Sequence, residues 1–207
     1  MGSLQVISEA PAPPIVPPPT KRKRKSCDLP FLSADDVDRL FHVIRSARDR
    51  AIFRVAYHAG LRASEIGMIE MRDYDAKAER LHIKRLKGSH SGIHHLCPEE
   101  SRAFHAWLKV RGNVPGPVFR SNRKEPISRQ MLDVLMKKYG EYAGIPKALR
   151  HFHILKHTCV THLLAKGFHV DQVQDWVGHA NIQNTMKYGH TTNSRRAEMA
   201  EQLREWR

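Results

Sequence analysis

Residues 153–188 have the sequence HILKHTCVTHLLAKGFHVDQVQDWVGHANIQNTMKY, and their pattern indicates the fold class of the chain. A helix is predicted from about His153 to Lys166, a shorter one from Asp171 to Val177, and another that starts around Asn181. A glycine follows each of the first two, which is typical of helix ends. Three successive helices of this kind indicate a domain that is mostly α-helical.

The same kind of pattern extends towards the N-terminus. Ser33, with Asp36 three residues later, resembles a capping box in which Asp replaces the usual Glu or Gln. The apolar residues that follow have the i, i+3, i+4, i+7 spacing of one buried helix face; they are Val37, Leu40, Phe41 and Ile44. Further helices are predicted at about Asp49–His58, at Pro98–Arg111 and from Ser128 through Tyr142.

One stretch has the alternation of a strand rather than the period of a helix. From Arg80 to Arg85 apolar and polar side chains alternate, residues 87–92 (KGSHSG) are turn-like, and Ile93 to Leu96 can pair back. The predicted fold is therefore mainly α with a small antiparallel β-hairpin or sheet, an α+β domain.

Composition bounds the organisation of the chain. Its 207 residues are enough for one ordinary domain with tails, and 35 Lys and Arg against 21 Asp and Glu give a net charge of +14. We predict a disordered, Pro-rich and basic arm over residues 1–28 and a folded domain over residues 29–207. The folded part is itself basic, which points to a polyanionic partner, most commonly nucleic acid.

Five consecutive positively charged residues follow the proline-rich segment of residues 1–20: Lys21, Arg22, Lys23, Arg24 and Lys25. This run cannot fold on itself, because like charges repel. Three interpretations stay open: a solvated spacer, an arm that binds DNA phosphates, or a nuclear-import signal if the source is eukaryotic. As a DNA-binding arm the run would supply affinity but no base-specific geometry.

Several classes of protein are excluded by features that the sequence lacks. No window approaches 18 consecutive apolar residues, so no membrane-spanning helix is expected, and the N-terminus lacks the order of a signal peptide. The three cysteines are widely spaced, at Cys27, Cys97 and Cys159, which supports neither a disulfide scaffold nor a CxxC zinc site. A reducing cytoplasm is the expected compartment.

Fourteen histidines raise the question of a metal. One group contains His90, His94 and His95; the other contains His151, His153, His157, Cys159 and His162. Neither spacing matches a tetrahedral ligand set, so no metal is expected. Histidines that face phosphate and gain charge as the pH falls are the simpler interpretation.

Four segments resemble the motifs of one enzyme family, the tyrosine recombinases or phage-type integrases. Gly60–Ile66 (GLRASEI) resembles the first arginine motif, and Arg80–Leu96 resembles the hairpin whose turn carries a lysine. His153–Thr158 (HILKHT) resembles the His-x-x-Arg box, and Gly178–Tyr188 resembles the last box, with His and Tyr nine residues apart. The resemblance runs from about Ser33 to Arg196 and implies that family's catalytic-domain fold.

The resemblance implies that several of these residues stabilise a reacting phosphodiester. Arg62 contacts the scissile phosphate, and His153 and His179 donate hydrogen bonds or transfer protons. Lys156 stands three residues after His153, on the same face of one helix. Fixed cations and donors stabilise the charge that gathers on the phosphate oxygens, and the family's chemistry needs no metal, nucleotide or other cofactor.

The nucleophile and the general acid are also implied by the resemblance. Tyr188 attacks the phosphate to form a 3′-phosphotyrosyl enzyme, and Lys87 protonates the 5′ oxygen that leaves. Each residue has a plainer interpretation when taken alone. Tyr188 is then a half-buried core residue, and Lys87 is a turn lysine whose assignment is complicated by the nearby Lys84 and Arg85.

Other motif residues are expected to support this machinery. Glu65 is implied to be a buried acid that holds the helix of Arg62, and it is also a possible ion-pair partner of that arginine. His157 and Thr158 are interpreted as supports behind the reacting groups. A set of apolar residues is expected to pack and so position His179: Val173, Trp176 and Val177.

Two departures from the family pattern keep alternatives open. Lys156 occupies the position where most members carry a second arginine, so the charge is kept but the planar fork is lost. In addition, only about 30 residues precede Ser33, so the family's separate N-terminal DNA-clamping domain is expected to be absent. Either the basic arm partly replaces the clamp through phosphate contacts, or the chain is a minimal or truncated form with weak choice of site. Whether another chain supplies the clamp stays open.

The function implied by the resemblance is site-specific cleavage and rejoining of DNA strands, for integration or excision of a mobile element. The alternatives are a catalytically weak or silent DNA-binding regulator and a type IB topoisomerase-like activity. The implied partners are double-stranded DNA, further copies of the chain in a tetramer on paired sites, and an accessory DNA-binding protein. Two alternatives are open for the tail from Asn193 to Trp206: it is expected either to dock on a neighbouring copy of the chain or to pack against its own domain.

Overall fold

A computed structural model describes residues 29–86 and 88–188, together with Glu201 and Arg204. The basic run Lys21 to Lys25, the turn residue Lys87 and most of the tail from Asn193 to Trp206 lie outside the described residues. Within that tail, Glu201 and Arg204 form an ion pair at 3.1 Å. Within the described residues, no helix is long and apolar enough to cross a membrane.

Eight α-helices and three short strands make up the described part of the chain, which confirms the predicted fold class. The helices are α1 (Ala34–Val43), α2 (Ala47–His58), α3 (Ala63–Ile66), α4 (Pro98–Arg111), α5 (Arg129–Tyr142), α6 (Ile154–Ala165), α7 (Val170–Trp176) and α8 (Gln183–Met186). Two 3₁₀ turns, Met71–Asp73 and Lys147–Leu149, connect some of them. The strands are β1 (Tyr74–Asp75), β2 (Arg80–Ile83) and β3 (Gly92–His95).

Helix α1 begins at the capping box that the sequence predicts. The Asp36 amide donates to the Ser33 hydroxyl at 3.1 Å, and the Ser33 amide donates to the Asp36 carboxylate at 3.0 Å. These two bonds satisfy donors that a helix N-terminus otherwise leaves unpaired. The predicted apolar face, from Val37 to Ile44, is buried.

The three strands form one antiparallel sheet in the order β1–β2–β3. On β2, Leu81 and Ile83 face the core, as alternation predicts. On β3 the buried residue is His94, whereas Ile93 is 56% exposed. The hairpin is therefore anchored through a polar side chain on β3, and β2 ends at Ile83 rather than at the predicted Arg85.

Helix α2 lies at the centre of the main core. Ile52, Phe53 and Val55 are fully buried, and the Phe53 ring packs edge-on against Tyr139 and Phe152, with centroids 5.7 and 5.4 Å away. Such aromatic pairs add to the stabilisation that burial alone gives. Because α2 also contacts α4 and α6, its C-terminal end is fixed next to the turn that leads to Arg62.

A second, smaller core cluster holds the last motif in place. It joins residues of α6 and α7 to the segment after α8: Cys159, Val160, Leu164, Val173, Val177 and Tyr188. The packing predicted for Val173 and Val177 is confirmed, but that predicted for Trp176 is wrong, since its side chain is 43% exposed. The Trp176 ring instead packs edge-on against the His94 ring, and its indole N–H donates a hydrogen bond to the His58 carbonyl at 2.7 Å.

Candidate active site

A cleft of about 660 Å³ collects the motif residues from four separate segments. Its lining includes all of the predicted catalytic residues that the structure describes: Arg62, His153, Lys156, His179 and Tyr188. Lys87 is not described, but Leu86 beside it lines the same cleft. Residues that the motifs did not single out also line it, among them Arg129, Asp133, Asn184 and Lys187.

Arg62 is held by the buried carboxylate of Glu65. The Arg62 Nη1 atom donates to Glu65 Oε1 at 2.6 Å and to the Ser89 hydroxyl at 3.1 Å. Burial alone would raise the pKa of Glu65, but hydrogen bonds from Arg62 and from the Leu86 amide, with the charge of Arg85, hold that pKa below its usual range. An ionised Glu65 orients the guanidinium, in line with its expected role as a buried acid.

Arg85 is a central residue of the site that the motif pattern did not reveal. Its side chain is 3% exposed, and its guanidinium donates to the carbonyls of Ala59 at 2.8 Å, Gly60 at 3.2 Å and Trp176 at 3.0 Å. It also reaches Glu65 at 3.4 Å. Arg85 thereby ties the hairpin to the turns that carry Arg62 and His179.

Lys156 extends from α6 into the space between the same two turns. Its ammonium donates to the Gly60 carbonyl at 2.8 Å and to the Val177 carbonyl at 2.9 Å, and the residue is 2% exposed. Burial, helped by the charges of Arg85 and Arg62, lowers the pKa of Lys156 to about 7. An ammonium has three N–H donors, so one remains for an anion in the cleft.

The two motif histidines are neutral in this environment. Burial, followed by the charges of His157 and Lys156, lowers the pKa of His153 to about 4. Burial, followed by the charges of Lys156 and Arg62, lowers the pKa of His179 to about 3. The His179 Nδ1 atom lies 2.9 Å from the Thr185 hydroxyl, which fixes the ring and leaves Nε2 for a ligand.

Tyr188 is 5% exposed, and its hydroxyl forms a short hydrogen bond with Nδ1 of His157. Burial raises the pKa of Tyr188 to about 12, so the phenol is protonated near neutral pH. The His157 ring in turn packs edge-on against His153 at 4.5 Å. His157, interpreted from the sequence as a support, thus contacts the hydroxyl of the predicted nucleophile directly.

Within residues 29–86 and 88–188, the histidine groups noted in the sequence do not bring three ligand atoms within 4.8 Å of one another. In the described part of the chain, one set of His, Cys and acidic side chains brings its ligand atoms within 4.8 Å of one another: His58, Cys97 and Glu100. None of the three lines the cleft.

Comparisons with known proteins point to one family. The sequence profile of the phage integrase family matches residues 30–195. The type 1 fimbriae regulatory protein FimB of Escherichia coli K12 is 31% identical over 176 residues, which are 81% of this chain and 88% of that protein. The tyrosine recombinase XerA of Pyrococcus horikoshii is 28% identical over 84% of this chain and 61% of its own length.

Solved structures show the same fold. The crystal structure of XerA recombinase superposes with a TM-score of 0.74 and 26% identity, over 91% of this chain and 67% of that one. The catalytic domain of bacteriophage HP1 integrase, at 19% identity, matches with a TM-score of 0.61 over 95% of its length. Because the family profile spans most of the sequence and its motif residues meet in one cleft, this chain belongs to the phage integrase family of tyrosine recombinases.

Proposed function

We propose that this chain is a site-specific recombinase that cleaves and rejoins DNA strands through a covalent bond to Tyr188. The observation that carries the proposal is the convergence of Tyr188 with two cations and two neutral histidines in one cleft. A phosphodiester is an anion, and this cleft offers it fixed positive charge and hydrogen-bond donors. Such an arrangement stabilises the additional charge of the transition state.

In the proposed reaction, the Tyr188 oxygen attacks the scissile phosphorus and the bond from phosphorus to the 5′ oxygen breaks. The phenol proton passes to His157, whose ring nitrogen already contacts the hydroxyl. Lys87 gives a proton to the 5′ oxygen that leaves, so atoms and charges balance. Attack by a 5′ hydroxyl of a second strand on the phosphotyrosine then reverses these steps and reseals DNA.

We assign the remaining groups that line the cleft to the phosphate itself. Arg62, oriented by Glu65, and the free N–H of Lys156 stabilise the non-bridging oxygens, while His153 and His179 donate hydrogen bonds from neutral rings. These neutral histidines add donors without adding to the repulsion among Arg62, Arg85 and Lys156. The chemistry supplied by these side chains is acid–base and electrostatic.

The proposal extends to partners and organisation. Residues 29–207 act as the catalytic domain on double-stranded DNA, in copies assembled on paired sites, with the Lys21 to Lys25 arm contributing phosphate contacts. In support, the matched stretch makes up 88% of the fimbriae regulatory protein, so that relative is little longer than the shared domain. The place of action is where DNA is accessible, which for a bacterial host is the cytoplasm.

Covalent trapping tests the proposed function. The full chain, Tyr188→Phe and Tyr142→Phe are incubated with a library of nicked duplexes in the presence of a metal chelator and then denatured. Tyr142 is 63% exposed and does not line the cleft, which makes it a matched control. We expect a protein–DNA adduct in the wild type and in Tyr142→Phe, and none in Tyr188→Phe.

Two outcomes would contradict the proposal. An adduct that survives in Tyr188→Phe would assign the nucleophile to another residue. No adduct with any duplex, while DNA binding persists, would favour the DNA-binding regulator that the lysine at position 156 raises as an alternative. His157→Ala belongs in the same series, because loss of the proton acceptor should slow adduct formation by about 10²-fold or more without weakening DNA binding.

A further inference from the structure

We propose that His58, Cys97 and Glu100 form a Zn²⁺ site where the end of α2 meets the start of α4. His58 is the last residue of α2, Cys97 is the N-cap of α4, and Glu100 lies one turn into that helix. The site is separate from the proposed strand-cleavage chemistry, since none of the three side chains lines the cleft. Its proposed role is to bind metal and fasten these two helices together.

The geometry of the three ligand atoms fits a tetrahedral cation. All three lie within 4.8 Å of one another, and the Cys97 sulfur is 3.9 Å from Nδ1 of His58. Zn–S bonds of about 2.3 Å and Zn–N bonds of about 2.0 Å place tetrahedral ligand atoms about 3.5 Å apart. A contraction of about an ångström therefore converts the cluster into a coordination shell, with water in the fourth position.

The His58 ring presents Nδ1 to the other two ligands, 3.9 Å from the Cys97 sulfur. Within the described residues this contact is the one hydrogen bond recorded for Nδ1, so the nitrogen is available to a metal.

Glu100 is already oriented as a ligand by its neighbours. One carboxylate oxygen accepts from the Cys97 amide at 2.9 Å, and the other lies 2.9 Å from Nε2 of His94. Each oxygen keeps a further lone pair for a cation. His94 therefore takes the place of the outer hydrogen-bond partner that commonly fixes a metal-bound carboxylate.

The charges also balance on binding. Zn²⁺ displaces the proton of the Cys97 thiol, which passes to solvent, and the thiolate and Glu100 together neutralise the ion. A set of one sulfur, one imidazole nitrogen and one carboxylate oxygen suits Zn²⁺ better than Mg²⁺ or Ca²⁺, which prefer oxygen ligands.

The position of the site suggests what the metal does. The His58 carbonyl accepts from the indole of Trp176 and from the Cys159 thiol, and the Gly60 turn that leads to Arg62 follows two residues later. A metal on His58 would hold this junction in place. We expect bound Zn²⁺ to raise the melting temperature of the protein without taking part in strand cleavage.

Cobalt substitution tests the site directly. The full chain is stripped with a chelator, freed of it, and titrated with Co²⁺, whose thiolate complex has a near-ultraviolet charge-transfer band. We expect one equivalent to produce the band, Zn²⁺ to abolish it, and Cys97→Ser to lack it. Cys27→Ser is the matched control and keeps the band, while His58→Gln weakens Co²⁺ binding at least tenfold.

Folding and specificity are checked in the same samples. Circular dichroism establishes that each variant is folded, and Ser is itself a good N-cap for α4. Zn²⁺ should raise the melting temperature of the wild type and of Cys27→Ser but not that of Cys97→Ser. A band that persists in Cys97→Ser would assign the thiolate to Cys27 or Cys159, and a wild type without a thiolate band would show that Cys97 binds no metal. Either result would overturn the proposal.

Discussion

Lys156 differs from an arginine in one respect that a titration can measure, because it can lose its proton near neutral pH. Its pKa, about 7, reflects burial together with the charges of Arg85 and Arg62. The ammonium is charged below that pH and neutral above it. An arginine at the same position would stay charged throughout the working range.

The resulting prediction concerns the pH dependence of strand cleavage at subsaturating DNA, which reports the free enzyme. We expect the cleavage rate of the wild type to fall as pH rises through about 7, because the charged fraction of Lys156 falls. Lys156→Arg should lose this descending limb and exceed the wild type at pH about 8, well above that pKa. Lys109→Arg, at an exposed position on α4, should keep the wild-type profile. A wild-type rate that is flat across this interval would show that the charge on Lys156 is not needed.

The contact between His157 and Tyr188 could not be predicted from the sequence. The resemblance to family motifs located Arg62, His153, His179 and Tyr188, and all four line one cleft. The hydrogen bond between His157 and Tyr188 joins positions 31 residues apart, and no local pattern indicates it. It depends on how α6 and the segment after α8 pack around their shared core cluster.

Among the secondary-structure elements, the features that depend on neighbouring residues in the sequence were predicted correctly. The Ser33 capping box, the buried face of α1 and the helix α4 from Pro98 to Arg111 follow from hydrogen bonding and periodicity within a few residues. Arg85 could not be predicted in this way. Its position at the end of an alternating stretch predicts a strand residue. Its guanidinium is instead buried and donates to carbonyl groups of two distant turns, including the carbonyl of Trp176.

Gly178 shows how closely the hairpin and the last motif approach each other. Its φ is +65°, and a Cβ atom there would lie 2.7 Å from the His90 carbonyl oxygen and 3.0 Å from the Arg85 guanidinium. Gly144 has a similar φ of +68°, but a Cβ there would meet nothing within 4 Å. An alanine at Gly144 would therefore introduce backbone strain alone, whereas an alanine at Gly178 would introduce both strain and a steric clash.

We predict that Gly144→Ala costs about 1–2 kcal/mol of unfolding free energy, the strain of a left-handed residue. Gly178→Ala should cost more, because the hairpin must also move, and it should slow strand cleavage through displacement of Arg85 and His179. Chemical denaturation and covalent trapping measure the two effects. Equal losses of stability, with cleavage unchanged in both variants, would show that the contact to the hairpin is unimportant.

At the scale of the whole molecule, the cleft concentrates positive charge that its own acids do not neutralise. Arg62, Arg85 and Lys156 share Glu65 as their nearby buried carboxylate, and their mutual repulsion contributes to the lowered pKa of Lys156. A DNA phosphate bound there would relieve this repulsion. The net charge of +14 then adds a long-range attraction that is independent of base sequence.

The Lys21 to Lys25 run provides the last prediction, which concerns the salt dependence of DNA binding. If all five charges contact phosphates, changing them to glutamine should reduce the slope of log Kobs against log salt by about 4.5, since each contact contributes about 0.9. Preference among DNA sequences should not change, because phosphate contacts carry no base information. Replacing Pro17, Pro18 and Pro19 by alanine, which keeps the charge, should leave the slope as it is. Fluorescence anisotropy with a short duplex, over a series of salt concentrations, measures the slope. An unchanged slope in the glutamine variant would mean that the run is a solvated spacer or a nuclear-import signal.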